Sequence, residues 1–468
     1  MDLAGRNALV LGLGVSGLSM ARWLSRHGAH VRVADTRSAP PCDEQLKREL
    51  PQVAVTTGVL REESFRDIDL VAISPGLAST EPLVESAAKR GVPVVGDIEL
   101  FAQALPGLSA AKVVAITGSN GKSTVTEMTG AMCRQAGLNT VVAGNIGLPV
   151  LDSLLTIDTA VDFGERRPEV FVLELSSFQL ETTSSLNAHV AACLNLSEDH
   201  LDRYSEMAAY AKAKMRVFHG DGIQVLNRQD VWSRSMARPG RAVFTFGLDT
   251  PSGEREWGLI DVGGEVWLAQ GNDKLLPVSR LRVTGLHNAA NALAALALAR
   301  AIDLPYEPLL RALAGFEGLA HRVQKVAEID GVTFYDDSKG TNVGATVAAL
   351  NGMRQAVVLI AGGDGKGQDF TPLKSAVAAR ARAVVLIGRD SDKIARSIED
   401  SSVPIHRAQT MEEAVRVGFD SARAGDAVLL SPACASFDMF RDYQHRAQAF
   451  VDAIDRMRGK PNSAPAAI

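Results

Sequence analysis

Short apolar runs, each closed by glycine or a polar cluster, recur along this chain and set its rhythm. The first, Asn7-Ala-Leu-Val-Leu, runs into Gly12-Leu-Gly-Val-Ser-Gly. Leu18, Ala21 and Leu24 then recur at helical spacing with Trp23 beside them, and His30-Val-Arg-Val-Ala closes at Asp35. This predicts a β-α-β unit. Residues 70–74 and 92–95 read as further strands, and 104–111, with Pro, Gly and Ser, as a linker. A second series opens at residues 113–116, followed by a glycine-bearing turn over 117–123 and a helix over 125–133. Strands over 170–177 and 191–196 follow, then a helix over 205–218. Residues 221–283 read as short strands with a hairpin at Gly263-Gly264, and an Ala/Leu-rich helix opens after Gly285. Past a boundary at 315–319, strands at 333–335, 357–361, 384–387 and 428–430 alternate with helical stretches. The expected fold is α/β in three domains: an N-terminal Rossmann-like βα domain (1–100), a central P-loop-type ATPase domain with a mostly parallel sheet (101–318), and a C-terminal Rossmann-like βα domain (319–468).

Chemistry gathers where strands end. Gly118-Ser-Asn-Gly-Lys-Ser-Thr sits between a strand and a helix, so backbone N–H groups and a helix N-terminus can cradle phosphates, with Lys122 on the outer phosphates and Ser123 on Mg²⁺. The wider G-x-x-x-x-G-K-[ST] spacing is absent, because Ile116 stands where it needs glycine. Strand–loop–helix context nonetheless marks an ATP site. Glu174 closes a strand where nucleotide-binding sheets hold a metal. G-x-G-x-x-G with Asp35 fits either a dinucleotide or a nucleoside diphosphate. Loops 336–342, 362–367 and 431–436 follow three strands and are expected to converge.

Composition narrows the partners. The 468 residues are too many for one core, and a net charge of −5 excludes a basic field for nucleic acid. Cys42, Cys133, Cys193 and Cys434 are scattered, which points to a reducing cytoplasm without disulfides or structural zinc. Residues 8–21 could imitate a secretion signal, but Gly12, Gly14 and Gly17 interrupt them. No apolar run reaches bilayer length, so no membrane association is expected.

The ordered motifs resemble those of the Mur ligase family over essentially the whole chain. They are Gly118-Ser-Asn-Gly-Lys-Ser-Thr, Gly144-Asn-Ile-Gly, Glu174-Leu-Ser-Ser-Phe-Gln-Leu, Glu198-Asp-His, His287-Asn-x-x-Asn291, His321-Arg322, Asp337-Ser-Lys-x-Thr-Asn342 and Ser431-Pro-Ala-Cys-Ala-Ser. Two features depart from the family: Gly340, where Ala is usual, and a loop over 163–168.

The resemblance implies a cytoplasmic, monomeric, ADP-forming amide ligase that joins D-glutamate to UDP-N-acetylmuramoyl-L-alanine through an acyl phosphate. Lys122, His200, Lys214 and Arg322 would be catalytic. ATP would lie on Gly118, Ser119, Asn120, Gly121, Lys122, Ser123, Thr124, Asn288, Asn291, Arg322 and Asp337. Two Mg²⁺ would be held by Ser123, Glu174, His200 and a CO₂-derived carbamate on Lys214. Val15, Ser16, Asp35, Thr36, Arg37 and Asn145 would take the UDP substrate. Lys339, Thr341, Lys366, Ser436 and Tyr443 would take D-glutamate, with Tyr443 standing where the family often has Phe. Without the resemblance, Lys214 beside Lys212 and Arg216 reads as a solvated helix face, and Asn288 and Asn291 as helix-start residues. The remaining alternatives are a nicotinamide-dependent oxidoreductase on the N-terminal glycines, a nucleotide sensor, or another Mur-type ligase.

Overall fold

The computed structural model describes residues 2–107, 111–162 and 166–459. Part of the expected linker (108–110), part of the family-atypical loop (163–165) and the tail from 460 lie outside these. The described residues carry three sheets in two compact units. One unit comprises Met1–Asn195, Ala208–Leu276 and Ala292–Leu313; the other comprises Leu196–Met207, Pro277–Asn291 and Ala314–Ile468.

The first unit contains two sheets. The N-terminal one has five parallel strands in the order Ala54–Thr57, His30–Asp35, Asn7–Leu11, Leu70–Ile73, Val94–Val95. Strand order reverses on the two sides of Asn7–Leu11, so a crevice opens beyond its carboxyl end, where the glycine turn lies. Leu9, Leu11, Val71, Ile73 and Phe65 pack one face of this sheet.

The second sheet has nine strands, with Lys112–Thr117 held between Val170–Glu174 and Val190–Cys193. Thr140–Gly144 flanks Val170–Glu174 in parallel. Towards the far edge, Glu256–Val262 pairs antiparallel with Glu265–Gln270, forming the expected hairpin at Gly263-Gly264. The three central strands are buried along almost their whole length, which is why they read as continuous apolar runs.

Polar contacts fasten the two sheets' domains within this unit. The buried Asp97 accepts from Gln179 Nε2 at 3.0 Å, and Glu99 accepts the N–H groups of Ser184 and Ser185 at 2.6 and 2.9 Å. Arg22 reaches Asp152 at 2.8 Å.

The second unit holds a six-stranded sheet in the order Gln324–Ile329, Val332–Asp336, Ala427–Leu430, Val357–Gly362, Ala381–Ile387, Ile405–Arg407. Only the first pair is antiparallel. Apolar clusters cover both faces, one around Leu359, Leu386 and Leu429 and the other around Phe334, Ile360 and Phe450.

Several boundaries differ from expectation. The helix after the phosphate loop begins at Lys122 rather than at residue 125, because its first turn is polar and carries no apolar period. The helix expected over 205–218 is Met207–Met215, followed by a 3₁₀ turn at Arg216–Phe218. Strands Ala54–Thr57, Gln324–Ile329 and Ile405–Arg407 were not anticipated; each is a largely exposed edge strand.

The crevice turn yields a test. A Cβ on Gly17 would lie 1.8 Å from the Gly12 carbonyl oxygen, whereas one on Gly14 would meet nothing within 4 Å. Gly17→Ala should cost about 2 kcal/mol or more in urea unfolding, and Gly14→Ala about 0.5 kcal/mol or less. Equal effects would contradict this packing.

Candidate active site

Gly118 leaves its strand at φ +149°, and a Cβ there would press within 3.1 Å of Leu194. Gly121 follows in the left-handed region at φ +84° and caps helix Lys122–Gln135. The loop between them is pinned from the neighbouring strand by Asn195. Its carbonyl accepts from Ser119 N–H at 2.8 Å, its Oδ1 from Asn120 N–H at 2.8 Å, and its Nδ2 donates to Asn120 O at 3.0 Å. Sequence reading missed Asn195. The only available signal was an amide one residue past an apolar run.

Two lysines converge on this loop. Lys122 Nζ donates to Gly118 O at 2.8 Å and to Ser119 O at 2.9 Å. Lys214, only 1% exposed, donates to the same Gly118 oxygen at 2.9 Å and to Thr117 Oγ1 at 3.3 Å. Its ammonium also lies 4.7 Å from the ring centre of Tyr210, whose hydroxyl is 3.2 Å from Ser119 Oγ. Lys214 is therefore no solvated face. Ser123 and Thr124 lie buried in the helix's first turn.

Glu174 closes the adjacent strand. Its Oε1 accepts from Asn145 Nδ2 at 2.8 Å, while its buried Oε2 has no hydrogen-bond partner. An orphaned carboxylate oxygen beside a phosphate loop fits Mg²⁺, which keeps several waters and typically binds one or two carboxylates plus phosphate. Among the described residues no three His, Cys, Asp or Glu side chains gather into a ready-made metal site. The fit therefore rests on Glu174 and Ser123. Gly144 is required nearby, because a Cβ there would lie 2.3 Å from Glu174 O.

In the N-terminal crevice Val15 is 63% exposed. Asp35 sits where a ribose-binding acid would, but its oxygens accept from Leu13 N–H and from the backbone and guanidinium of Arg37 at 2.6–2.9 Å. Although burial opposes ionisation, these bonds, the Arg37 side chain foremost, hold its carboxyl down at about 2. Asp35 thus shapes the loop and orients Arg37, with Thr36 and Ser16 on the same turns.

In the second unit the three loops do converge. Ala433 N–H bonds to Gly340 O at 2.9 Å, and Asp364 and Ala435 exchange backbone bonds at 2.8 and 3.0 Å. Lys366, at φ +50°, reaches Asp199 at 3.3 Å, and Asn342 Nδ2 lies 3.4 Å from the same carboxylate. His200, also left-handed at φ +56°, has Nε2 3.6 Å from Asp199. His321 Nδ1 lies 2.6 Å from Asp336 Oδ2, with Arg322 next in sequence. Lys339 Nζ stands 4.0 Å from the ring centre of Tyr443, within cation–π reach. Thr341 N–H bonds to Lys339 O at 2.9 Å, and Ser436 is buried. Asn291 Nδ2 donates to Asn288 Oδ1 at 3.2 Å, and Asn288 Nδ2 to Thr284 O at 2.8 Å.

Gly340 has a steric reason. A Cβ there would come within 2.6 Å of Asp337 Oδ2, the oxygen that accepts from Ser431 Oγ at 2.7 Å.

Burial pushes the Asp337 carboxyl up to about 7, with Asp336 adding to the rise and the Ser431 hydrogen bond and Arg322 opposing it. The folded chain therefore binds this proton more tightly than the unfolded one, and stability falls as pH rises from about 4 towards 7. Asp337→Asn should gain thermal stability relative to the parent as pH is raised from 5 to 8. A melting difference independent of pH would contradict the assignment.

Comparison with known proteins gives independent findings. Residues 6–96 match the family described as Mur ligase MurD-like, N-terminal domain, residues 116–299 the Mur ligase middle domain, and residues 321–434 the Mur ligase, glutamate ligase domain. A protein of Nitrosospira multiformis named UDP-N-acetylmuramoylalanine–D-glutamate ligase is 59% identical over 462 residues, covering 98% of this chain and 97% of its own. One of the same name from Thiobacillus denitrificans is 60% identical, covering 98% of each chain. Among solved structures, UDP-N-acetylmuramate-alanine ligase MurC from Thermotoga maritima superposes with a TM-score of 0.60 at 19% identity, covering 97% of this chain and 99% of that one. A pseudomurein peptide ligase type C from Methanothermus fervidus gives 0.57 at 19% identity, covering 97% and 100%. These two share the fold.

Proposed function

The chain belongs to the Mur ligase family, and from that membership and the site geometry we propose that it joins D-glutamate to UDP-N-acetylmuramoyl-L-alanine in an ATP-dependent, ADP-forming reaction of peptidoglycan precursor synthesis. The observation that carries the D-glutamate reading is near-full-length identity of 59% and 60% to relatives bearing that name. No finding favours the oxidoreductase alternative, and the crevice turn has a role in holding a nucleoside diphosphate without a nicotinamide. No helix among the described residues is long and apolar enough to cross a membrane. Four free, buried cysteines and a nucleotide-linked substrate favour a cytoplasmic setting. The monomeric state is inferred from the resemblance alone.

The chemistry explains the residues. A carboxylate is anionic and resonance-stabilised, so an amine does not add to it. The substrate carboxylate therefore attacks the γ-phosphorus of ATP, ADP leaves, and an acyl phosphate forms. The amine of D-glutamate then adds to that carbonyl, its proton is lost, and inorganic phosphate departs with the amide bond made. The first step brings two anions together, so the chain must concentrate positive charge and align the atoms. Lys122 turns from the Gly118 and Ser119 carbonyls to the outer phosphates. The N–H groups of residues 118–124 hold the phosphate chain. Arg322 adds charge to the phosphoryl group, and Asn288, Asn291 and Asp337 hold base and ribose. Asn145 orients both Glu174 and the substrate. Mg²⁺ on Ser123 and Glu174 would neutralise the β- and γ-oxygens.

Val15, Ser16, Thr36 and Arg37, the last held by Asp35, take the UDP moiety. Lys366, Thr341, Ser436, Tyr443 and Lys339 receive the D-glutamate carboxylates. Lys214, as a carbamate, and His200 are the ligands inferred for a second Mg²⁺. The shared Gly118 carbonyl supports that reading. Two ammoniums crowd one oxygen there, and a carbamate on Lys214 replaces repulsion of Lys122 with attraction.

Phosphate release should require ATP, UDP-N-acetylmuramoyl-L-alanine and D-glutamate together; release with any one omitted would contradict the assignment. Lys122→Ala should lower kcat by about 10²- to 10³-fold, read by the same assay. Protein equilibrated with ¹³C-bicarbonate should show a carbamate carbon resonance that Lys214→Ala abolishes. A resonance unchanged in that variant, or absent from the parent, would rule the carbamate out.

A further inference from the structure

Arg446 is the largest charged side chain in the deep interior of the second unit, at 1% exposed. It lies in the first turn of helix Tyr443–Met457. Its Nη1 donates to Cys434 O at 3.1 Å and its Nη2 to Ser338 O at 2.9 Å, while its buried Nε has no partner. No carboxylate oxygen lies within 4.0 Å of it among the described residues. A buried arginine without a direct ion pair is costly, and burial pushes this guanidinium down to about 10, with Cys434 and the more distant Asp438, Asp336 and Asp337 opposing the shift.

The placement of its two acceptors is informative. Ser338 immediately precedes Lys339 and stands three residues before Thr341, and Cys434 stands two residues before Ser436. Tyr443, whose ring faces the Lys339 ammonium, lies one helical turn before Arg446 itself. A single planar fork thus fastens all three segments that carry these side chains, and only an arginine offers two donors at that fixed span.

We propose that Arg446 is a positioning residue for the amino-acid substrate, setting the spacing of the loops that present Lys339, Thr341 and Ser436. This rests on the reading that those loops receive D-glutamate. Arg446 touches no substrate; it acts through the two backbone carbonyls.

The test measures steady-state phosphate release in the full chain for R446M and R446K, varying each substrate in turn, with melting curves alongside. R446M should raise KM for D-glutamate about tenfold or more, with KM for ATP and for UDP-N-acetylmuramoyl-L-alanine within about twofold of the parent. R446K can hold one of the two carbonyls but loses the fork, so its KM for D-glutamate should rise by a smaller factor. An unchanged KM for D-glutamate in either folded variant, or an equal rise for all three substrates, would overturn the proposal. Should R446M not fold, R446K decides. A parent chain without D-glutamate-dependent phosphate release would overturn the underlying reading instead.

Discussion

Two ammonium groups on one carbonyl oxygen is the constraint around which the first unit is built. Gly118 O can receive both Lys122 and Lys214 because it has two lone pairs and because its residue bends at a φ that disfavours side chains. Strand Val190–Cys193 runs directly beside Lys112–Thr117 and brings Leu194 close behind the bend, where it crowds any Cβ at residue 118. On the opposite flank, pairing with Val170–Glu174 brings an orphaned carboxylate oxygen to the same end of the sheet. Charge is therefore positioned by strand order. In the unmodified chain the cations come from the loop and from helix Met207–Met215, and the anion from the neighbouring strand. Ligands that complete such a constellation would gain from its being pre-formed.

The architecture was legible where burial imposes pattern. Central strands such as Val113-Val-Ala-Ile and Val357-Val-Leu-Ile are buried on both faces and leave continuous apolar runs, and glycines end them where loops bend. Ala54–Thr57 and Ile405–Arg407 left no such trace, since an edge strand needs few apolar positions. Candidate side chains could be read from the sequence when they lay at or shortly past a strand's carboxyl end, as Lys122, Glu174 and Lys366 do. Asn195 and Arg446 escaped because their work is tertiary. One pins a loop 75 residues away, and the other reaches a carbonyl 108 residues away. Nothing local distinguishes them from other polar residues.

Gln179 shows how one side chain can couple two domains within the first unit. Its Oε1 accepts from Ser176 N–H and Oγ at 3.1 Å, completing a capping box at the start of helix Ser177–Glu181. Its Nε2 donates to the buried Asp97, which follows the last strand of the N-terminal sheet. That carboxyl is pushed up by burial and held by this bond and a backbone N–H, so losing the amide would strand a buried acid. Gly96, where a Cβ would meet Thr182 Oγ1 at 2.3 Å, lets the two backbones approach closely enough for the bond to form. The helix cap and this junction thus share one side chain, a few residues past the strand that ends in Glu174.

In the second unit the same economy takes the form of strain. Lys366 and Ala433 adopt left-handed backbone in loops that follow strands, and His200 does so in the loop beside Asp199. Each such residue costs on the order of 1 kcal/mol or more and persists only when its surroundings over-determine it. Those surroundings are visible. Asp199 Oδ1 accepts from Lys366 and from the His200 N–H, the latter at 2.9 Å, and Gln368 ties the first turn of helix Val343–Gly352 to the same loop through Val343 N–H at 2.9 Å. Ala433 is bracketed by its bond to Gly340 and by the Arg446 fork on Cys434. A relaxed backbone at these points would re-aim Lys366 and Ser436. The Arg446 fork holds the carbonyl of Cys434, directly after the left-handed Ala433, so the strained loop and the buried cation meet at adjacent residues.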